Sequence, residues 1–264
     1  MAVRKRTWTT NAGQHREAWI VAYIANGQRH IKTFARKKDA DRHYASVTVD
    51  VAKGIHTPES RSLTVARAAE DWLVTAELEG LERSTLVQYR AHVRKYISPR
   101  IGTIKLATLT TPAVNAFRDT LLRDLNRATA RKVLWSFKAI IKDARRRGTI
   151  AHNVAEGITI KRDTRDKEKL EIGRNIPSPD EVRRILTAAQ GNWRALLVVA
   201  AFTGLRASEL RGLRWSDIDI AAGAIHVRQR ADQWNVTGPP KTGESRRTIP
   251  VGPFVINTLK EWKL

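Results

Sequence analysis

Arg206 and Glu209 stand three residues apart in TGLRASELRGLRW, directly after the apolar run LLVVAAF. A guanidinium presents a planar fork of donors that fits a phosphate or a carboxylate at two points. A carboxylate one helical turn away can orient that fork. On spacing alone the better reading is an ordinary i, i+3 ion pair, since such pairs are common and weak. Lys241, in PPKTGESRRTIPV, is by itself a loop lysine on a turn after Pro239-Pro240. Asp217 and Asp219 form an Asp-x-Asp pair with no third carboxylate near, so they read as structural rather than as a magnesium site. No HExxH, no His pair at metal-ligand spacing and no glycine-rich phosphate loop occurs. Neither a metal nor another cofactor is expected.

The composition names the partner class. Among 264 residues there are 48 Lys+Arg against 26 Asp+Glu, a formal charge of +22. An excess of this size points to a polyanion, most simply nucleic acid. A membrane surface is the other polyanion, but the longest apolar run, Ala195 to Phe202, is far too short to span one. There is no cysteine, which excludes disulfides, thiol nucleophiles and cysteine-ligated zinc. The N-terminus, MAVRKRTW, is basic but leads into no apolar signal-peptide core, so a cytoplasmic, nucleoid-associated location is expected. Residues 61–165 carry 21 basic and 10 acidic side chains, the steepest local excess, and form the expected main grip on nucleic acid.

Positioning these residues requires three segments and a linker. In 1–60, EAWIVAYI and QRHIKTF alternate as strands around the Asn26-Gly27 hairpin signal. KKDADRHYASVTVDVAKG reads as a helix ended by Gly54. Its basic head, Arg4, Lys5 and Arg6, favours DNA contact. Residues 61–162 read as all-helical. Thr64, Ser84 and Thr111-Pro112 start three helices, Pro99 and Gly102 stop the second, and a fourth runs from about Ala128 to Arg147 before Gly148. Their apolar stripes are core. The basic residues between, including Arg83, Arg90, Arg131, Lys132 and Lys138, are expected on phosphates, as is Arg162 where the chain leaves the segment. A charged linker follows over 163–176, with Arg165, Lys167 and Lys169 also placed to touch a backbone. Segment 177–264 opens on a Ser178–Glu181 capping box. It continues into a buried helix over Trp193 to Phe202, then strand-like AIHVRQR and RRTIPV. Trp215 is expected in its core. The fold class is mainly α with small β parts.

TGLRASELRGLRWSDID resembles the first arginine box of the tyrosine recombinases, the phage-integrase family. Thr203, Gly204, Leu205, Arg206, Ser208, Glu209, Leu210, Leu213, Trp215, Asp217 and Ile218 all fall where that box has them. PPKTGESRRTIPV is similar to the family's hairpin bearing a catalytic lysine, here Lys241. STLVQYRAHVRKYISPRIG and ARRRGTIAHNVAEGI resemble its helical, SAM-like core-binding domain, with Asn153-Val154 in place of the usual Asn-Pro. Residues 1–60 resemble its small three-stranded arm-binding domains. The resemblance implies attachment-site duplex DNA as partner, four protomers on two duplexes, and a mixed α/β catalytic domain from 177 onward. It also implies roles. Arg206, oriented by Glu209, neutralises charge on the pentavalent phosphorus, and Lys241 protonates the leaving 5′-oxygen.

Two parts of the family's machinery are missing. There is no His-x-x-Arg box: His226, the last histidine, is followed by Val227, Arg228 and Gln229 and reads as an outward strand residue. The four tyrosines, Tyr23, Tyr44, Tyr89 and Tyr96, all precede Arg206, so none stands where the nucleophile belongs. The expectation is an integrase truncated within its catalytic domain, able to bind DNA but not to cleave it alone, whose last helix start has little to pack against. The alternative is a non-catalytic DNA-binding remnant or regulator of an intact integrase.

Overall fold

A computed structural model of the chain describes every residue except Met1, Ala12, Asn26, 53–55, Thr57, Ser60, 163–169, Thr242 and Leu264; for Glu244 only the backbone is described. Expectations placed on Asn26, Gly54, Arg165, Lys167 and Lys169 therefore lie outside the described residues. The chain divides into two compact units, Met1–Asp166 and Lys167–Leu264.

The first unit opens with an antiparallel meander of β1 (Ala2–Thr9), β2 (His15–Ala25) and β3 (Gln28–Phe34). Ala25 pairs with Gln28, and Gly27 before it takes φ 72°. Strand alternation sends Trp19, Val21, Tyr23 and Ala25 to one face, where Ala40 and Val47 of α1 (Lys37–Ala52) cover them. Arg4 and Arg6 alternate with Lys5, and Lys5 ion-pairs with Glu17 at 2.6 Å.

Beside this core lies a histidine cluster. Around the Tyr23 ring, His30 stacks at 5.3 Å and His56 stands edge-on at 4.9 Å, with His56 Nε2 2.9 Å from the Tyr23 hydroxyl. His43 lies between Tyr23 and Phe34. Burial pushes the pKa values of His43 and His56 below the ordinary 6.5. Lys32 and His56 push His43 further down against Glu59, and His30 opposes Asp50 at His56. Below pH 6.5 an unfolded chain takes up protons that the folded cluster refuses, so stability falls as pH drops and is regained above that value. The melting temperature of the first unit is accordingly expected to fall when pH is lowered through 6.5. A His43→Gln, His56→Gln variant is expected to lose most of that dependence in thermal melts. An equal fall in the variant contradicts this assignment.

The helical part of the unit comprises α2 (Val65–Leu78), α3 (Arg83–His92), α4 (Ser98–Ile101), α5 (Thr111–Asp124) and α6 (Arg127–Arg146). Thr64 caps α2 by accepting from the Arg67 amide. Thr110, one residue before the expected start, caps α5. Ser84 is not a cap. Gly80, at φ 72°, and the Leu81 amide on the Ala76 carbonyl close α2 in a Schellman turn, so α3 already begins at Arg83 with Glu82 as its cap position. Nor does Pro99 stop the second helix. A π-helical turn over Val93–Ile97 joins α3 to α4. Arg100 Nη1 donates to the Lys95 carbonyl, the acceptor that Pro99, lacking an N–H, cannot serve. Phe117 meets Phe137 at 5.1 Å in a core where Phe137, Ile140, Ile141 and Val133 are fully buried. Buried Asp143 receives Arg146 and Arg147, and Arg147 reaches the Asp71 carbonyl and Thr75, tying α6 to α2.

The second unit contains α7 (Pro179–Ala188), α8 (Gly191–Thr203), α9 (Ala207–Gly212), a 3-10 turn Trp215–Asp217, five short strands and α10 (Pro253–Lys263). The strands are β4 (Ile218–Asp219), β5 (Ala224–Val227), β6 (Arg230–Ala231), β7 (Thr237–Gly238) and β8 (Arg247–Pro250). They form an antiparallel sheet β4-β5-β8 and a separate pair β6-β7. The Ser178–Glu181 capping box is complete, at 2.7 and 3.3 Å. Three expectations fail. First, α8 is not buried all round. Ala195, Val198 and Val199 are buried, while Trp193 and Phe202 are more than half exposed. Second, α10 is not left without support. Val255, Ile256 and Leu259 are buried, and Val255 and Leu259 share one core with Val198, Val199 and Ile225. Third, Trp215 departs from the core: it is 37% exposed, with the Trp262 ring tilted against it at 5.3 Å and Lys263 above its ring. Among the described residues, no helix is long and apolar enough to cross a membrane.

Candidate functional site

The chain reverses sharply between α8 and α9, and this turn presents Arg206. Thr203 Oγ1 donates to the Val199 carbonyl and accepts the Leu205 amide. Gly204 sits at φ 61°, a left-handed conformation that costs glycine nothing sterically. Leu205 then plugs into the core, 7% exposed, which fixes where residue 206 emerges. Gly212, at the end of α9, lies against the next element: a Cβ there would stand 2.6 Å from the Arg230 carbonyl carbon, so β6 packs on bare backbone.

Arg206 occupies the cap position of α9, and Glu209 reaches back to it. Glu209 Oε2 accepts the Arg206 amide at 3.0 Å, the reach-back half of a capping box. Its Oε1 accepts Arg206 Nη1 at 2.9 Å. The Glu209 side chain is 3% exposed and that of Arg206 68% exposed. Arg206 Nη1 also lies 3.5 Å from Ser245 Oγ, while Nε and Nη2 have no protein partner among the described residues. A buried carboxylate thus holds one edge of the guanidinium and leaves the other edge toward solvent.

Glu209 has a second cation that the sequence reading missed. Arg247 Nη2 donates to Oε2 at 2.9 Å and Nη1 to Oε1 at 3.3 Å. Arg247 lies on β8 opposite Val227. Burial alone pushes the Glu209 carboxyl up, but hydrogen bonds from Arg247, the Arg206 amide and the Arg206 guanidinium outweigh it and hold it down to about 2. Glu209 is therefore anionic at all ordinary pH. The available signal was the Arg246-Arg247 doublet opening a strand, where alternation must turn one arginine inward.

The other sequence candidates lie as follows. Lys241 sits exposed between β7 and the 3-10 turn Gly243–Ser245, with no hydrogen bond or ion pair among the described residues, and it is not joined to the Arg206 cluster. Asp217 accepts the Arg214 amide and faces Arg228, and Asp219 caps a turn at Ala222, so both are structural. His226 bonds Thr248 across the sheet. Among the described residues no group of acidic and histidine side chains fits a metal. In the first unit, Arg131, Lys132 and Lys138 share a cleft of about 560 Å³ with Gln88, Tyr89 and exposed Trp135. Lys138 Nζ donates to the Ile158 carbonyl, which fixes the cleft wall. Arg90 is paired with Glu77 at 2.8 Å, Arg83 begins α3, and Arg162 is exposed. Arg4 pairs with Ile20 and Arg6 with Ala18 in the sheet, and Arg6 also lies over Trp8.

Comparison with known proteins agrees with this arrangement. Residues 177–263 match the phage integrase family. A XerC-like tyrosine recombinase of Caldanaerobacter subterraneus subsp. tengcongensis is 26% identical over 240 residues, covering 85% of this chain and 61% of that protein. An integrase of Mycobacterium phage D29 is 24% identical over 281 residues, covering 99% of this chain and 71% of the phage protein. This chain thus spans less than two thirds of the XerC-like protein. Among solved structures, the Tn1549 transposon integrase in complex with circular intermediate DNA aligns at TM-score 0.60 and 18% identity, covering 76% of this chain and 65% of that one. The lambda integrase tetramer bound to a Holliday junction aligns at 0.53 and 19%, covering 88% and 67%. At these identities the structural matches speak for the fold. With the arginine turn and its buried carboxylate, the matched segment 177–263 is a phage integrase family segment, and the chain as a whole is similar to tyrosine recombinases and integrases.

Proposed function

We propose that this chain acts in site-specific recombination by a phage or mobile-element integrase, gripping attachment-site duplex DNA with Arg206 on a backbone phosphate. The observation that carries this reading is the state of Arg206: one edge is pinned by buried Glu209, and Nε and Nη2 are free to meet a phosphate as a fork. Where a complete catalytic centre supplies the nucleophile that attacks the phosphorus, Lys241, on its exposed loop, is the proton donor to the leaving oxygen. Four functional parts are proposed: residues 1–60 for arm-type sites, 61–162 for the core site, a linker over 163–176, and 177–264 as the part of a catalytic domain that holds Arg206. Arg4 and Arg6 of β1 serve the first, and the cleft with Arg131 and Lys132 serves the second. The assembled state is four protomers on two duplexes, by likeness to the lambda tetramer.

The 264-residue chain by itself is proposed to bind without cleaving. Its four tyrosines all lie in the first unit, and Tyr23 and Tyr89 are engaged with His56 and Trp72 there. A nicked suicide duplex carrying a site selected by the chain from a randomised pool checks this. A shifted complex that dissociates in SDS is expected. An SDS-stable protein–DNA adduct contradicts it.

A further inference from the structure

We infer that Arg247 is a positioning residue that locks the Gly243–Ser245 turn to the turn bearing Arg206. The inference rests on the reading that Arg206 meets a phosphate. Each oxygen of Glu209 serves both arginines: Oε2 accepts the Arg206 amide and Arg247 Nη2, and Oε1 accepts Nη1 of both. Arg247 Nη1 also donates to the Ser245 carbonyl at 3.1 Å, at the end of the turn that follows Lys241. Ser245 itself is buried, and its hydroxyl faces Arg206 Nη1. One guanidinium therefore ties three backbone segments, namely the α9 cap, the Gly243–Ser245 turn and strand β8.

The geometry separates this role from direct DNA contact. Arg247 is 33% exposed, half the exposure of Arg206, and its Nη1 and Nη2 are both spent on protein acceptors. Arg246, its neighbour, is exposed instead. Without Arg247, Glu209 keeps the Arg206 contacts but loses the partners that fix its carboxylate plane. Arg206 then samples several directions, and the Gly243–Ser245 turn loses its tether to the α9 cap. A lysine cannot replace the fork, because a single ammonium cannot span both carboxylate oxygens and a carbonyl.

The test uses the full chain and a duplex selected by the wild-type chain from a randomised pool, with Kd as readout. Arg247→Ala is expected to weaken binding roughly tenfold, the scale of one charged hydrogen-bonded contact. Arg206→Ala is expected to do the same, and the double variant to bind no more weakly than Arg206→Ala alone. Arg247→Lys, which keeps the charge, is expected to retain most of the loss while melting cooperatively. It carries the test if Arg247→Ala does not fold. Additive losses in the double variant, or wild-type affinity in Arg247→Lys, overturn the inference and leave the Arg206 contact standing. Wild-type affinity in Arg206→Ala refutes the phosphate contact itself, and the positioning role with it.

Discussion

Glu209→Ala is expected to lower the stability of the unit Lys167–Leu264 by about 3 kcal/mol, the lower end for removing one partner of a buried ion pair. The lower end applies because both guanidinia keep access to water, Arg206 more than Arg247. The carboxylate is nearly inaccessible yet accepts four hydrogen bonds, one from a backbone amide and three from guanidinium nitrogens. Its removal leaves the Arg206 amide without its acceptor at the start of α9 and frees strand β8 from the turn. Denaturant unfolding followed by tryptophan emission measures the change, since Trp193, Trp215, Trp234 and Trp262 all report on this unit. Glu209→Gln keeps the shape but presents one acceptor oxygen and one donor, so an intermediate loss is expected. The pH profile supplies a second readout. The folded pKa of Glu209, about 2, lies below the ordinary 4.5. Its contribution is therefore fully present above 4.5 and is lost as pH falls through the folded value. The wild type is expected to lose stability across that acid window more steeply than Glu209→Ala. Equal stability of the two proteins at neutral pH contradicts the assignment.

How much of this was legible in the sequence depends on the range of the interaction. The Ser178–Glu181 box and the Thr64 cap are contacts over three residues, and both were readable as patterns. The Arg206–Glu209 pair was readable for the same reason. Ser84 misled because the start of α3 is set by how α2 ends, in a Schellman turn at Gly80, and not by the best capping side chain nearby. Pro99 misled because a π-helical turn and the Arg100 side chain absorb what its ring removes. The apolar run in α8 predicted burial on every side, whereas Ala195, Val198 and Val199 are buried while Trp193 and Phe202 stay more than half exposed. Composition records how apolar a helix is and not which neighbours reach it.

At the candidate site the limit was sharper. Arg247 lies 38 residues from Glu209, and no spacing rule links them. The strand register that opposes Arg247 to Val227 brings it to the carboxylate, and register emerges only when the hairpin closes. Lys241 shows the converse. Its motif was plain, but the folded chain gives it no partner among the described residues. Its proposed role then depends on the bound DNA to bring it to the phosphate that Arg206 holds.

Arg206→Ala is expected to leave the fold intact, because the side chain is 68% exposed and Glu209 keeps Arg247. It removes the fork that buried Glu209 holds toward solvent. Neutralising a single phosphate contact costs roughly tenfold in affinity and reduces the salt dependence of binding by about one counterion. A backbone phosphate carries no sequence information, so the loss is expected on selected and unrelated duplex alike, while the remaining basic surface of a chain at +22 retains residual binding. The decisive measurement is Kd for wild type and Arg206→Ala on both duplexes across a salt series. A loss of about tenfold on both duplexes, with a salt slope lower by about one counterion, is predicted for a single charged phosphate contact. Equal affinities of the two proteins on the selected duplex contradict the account.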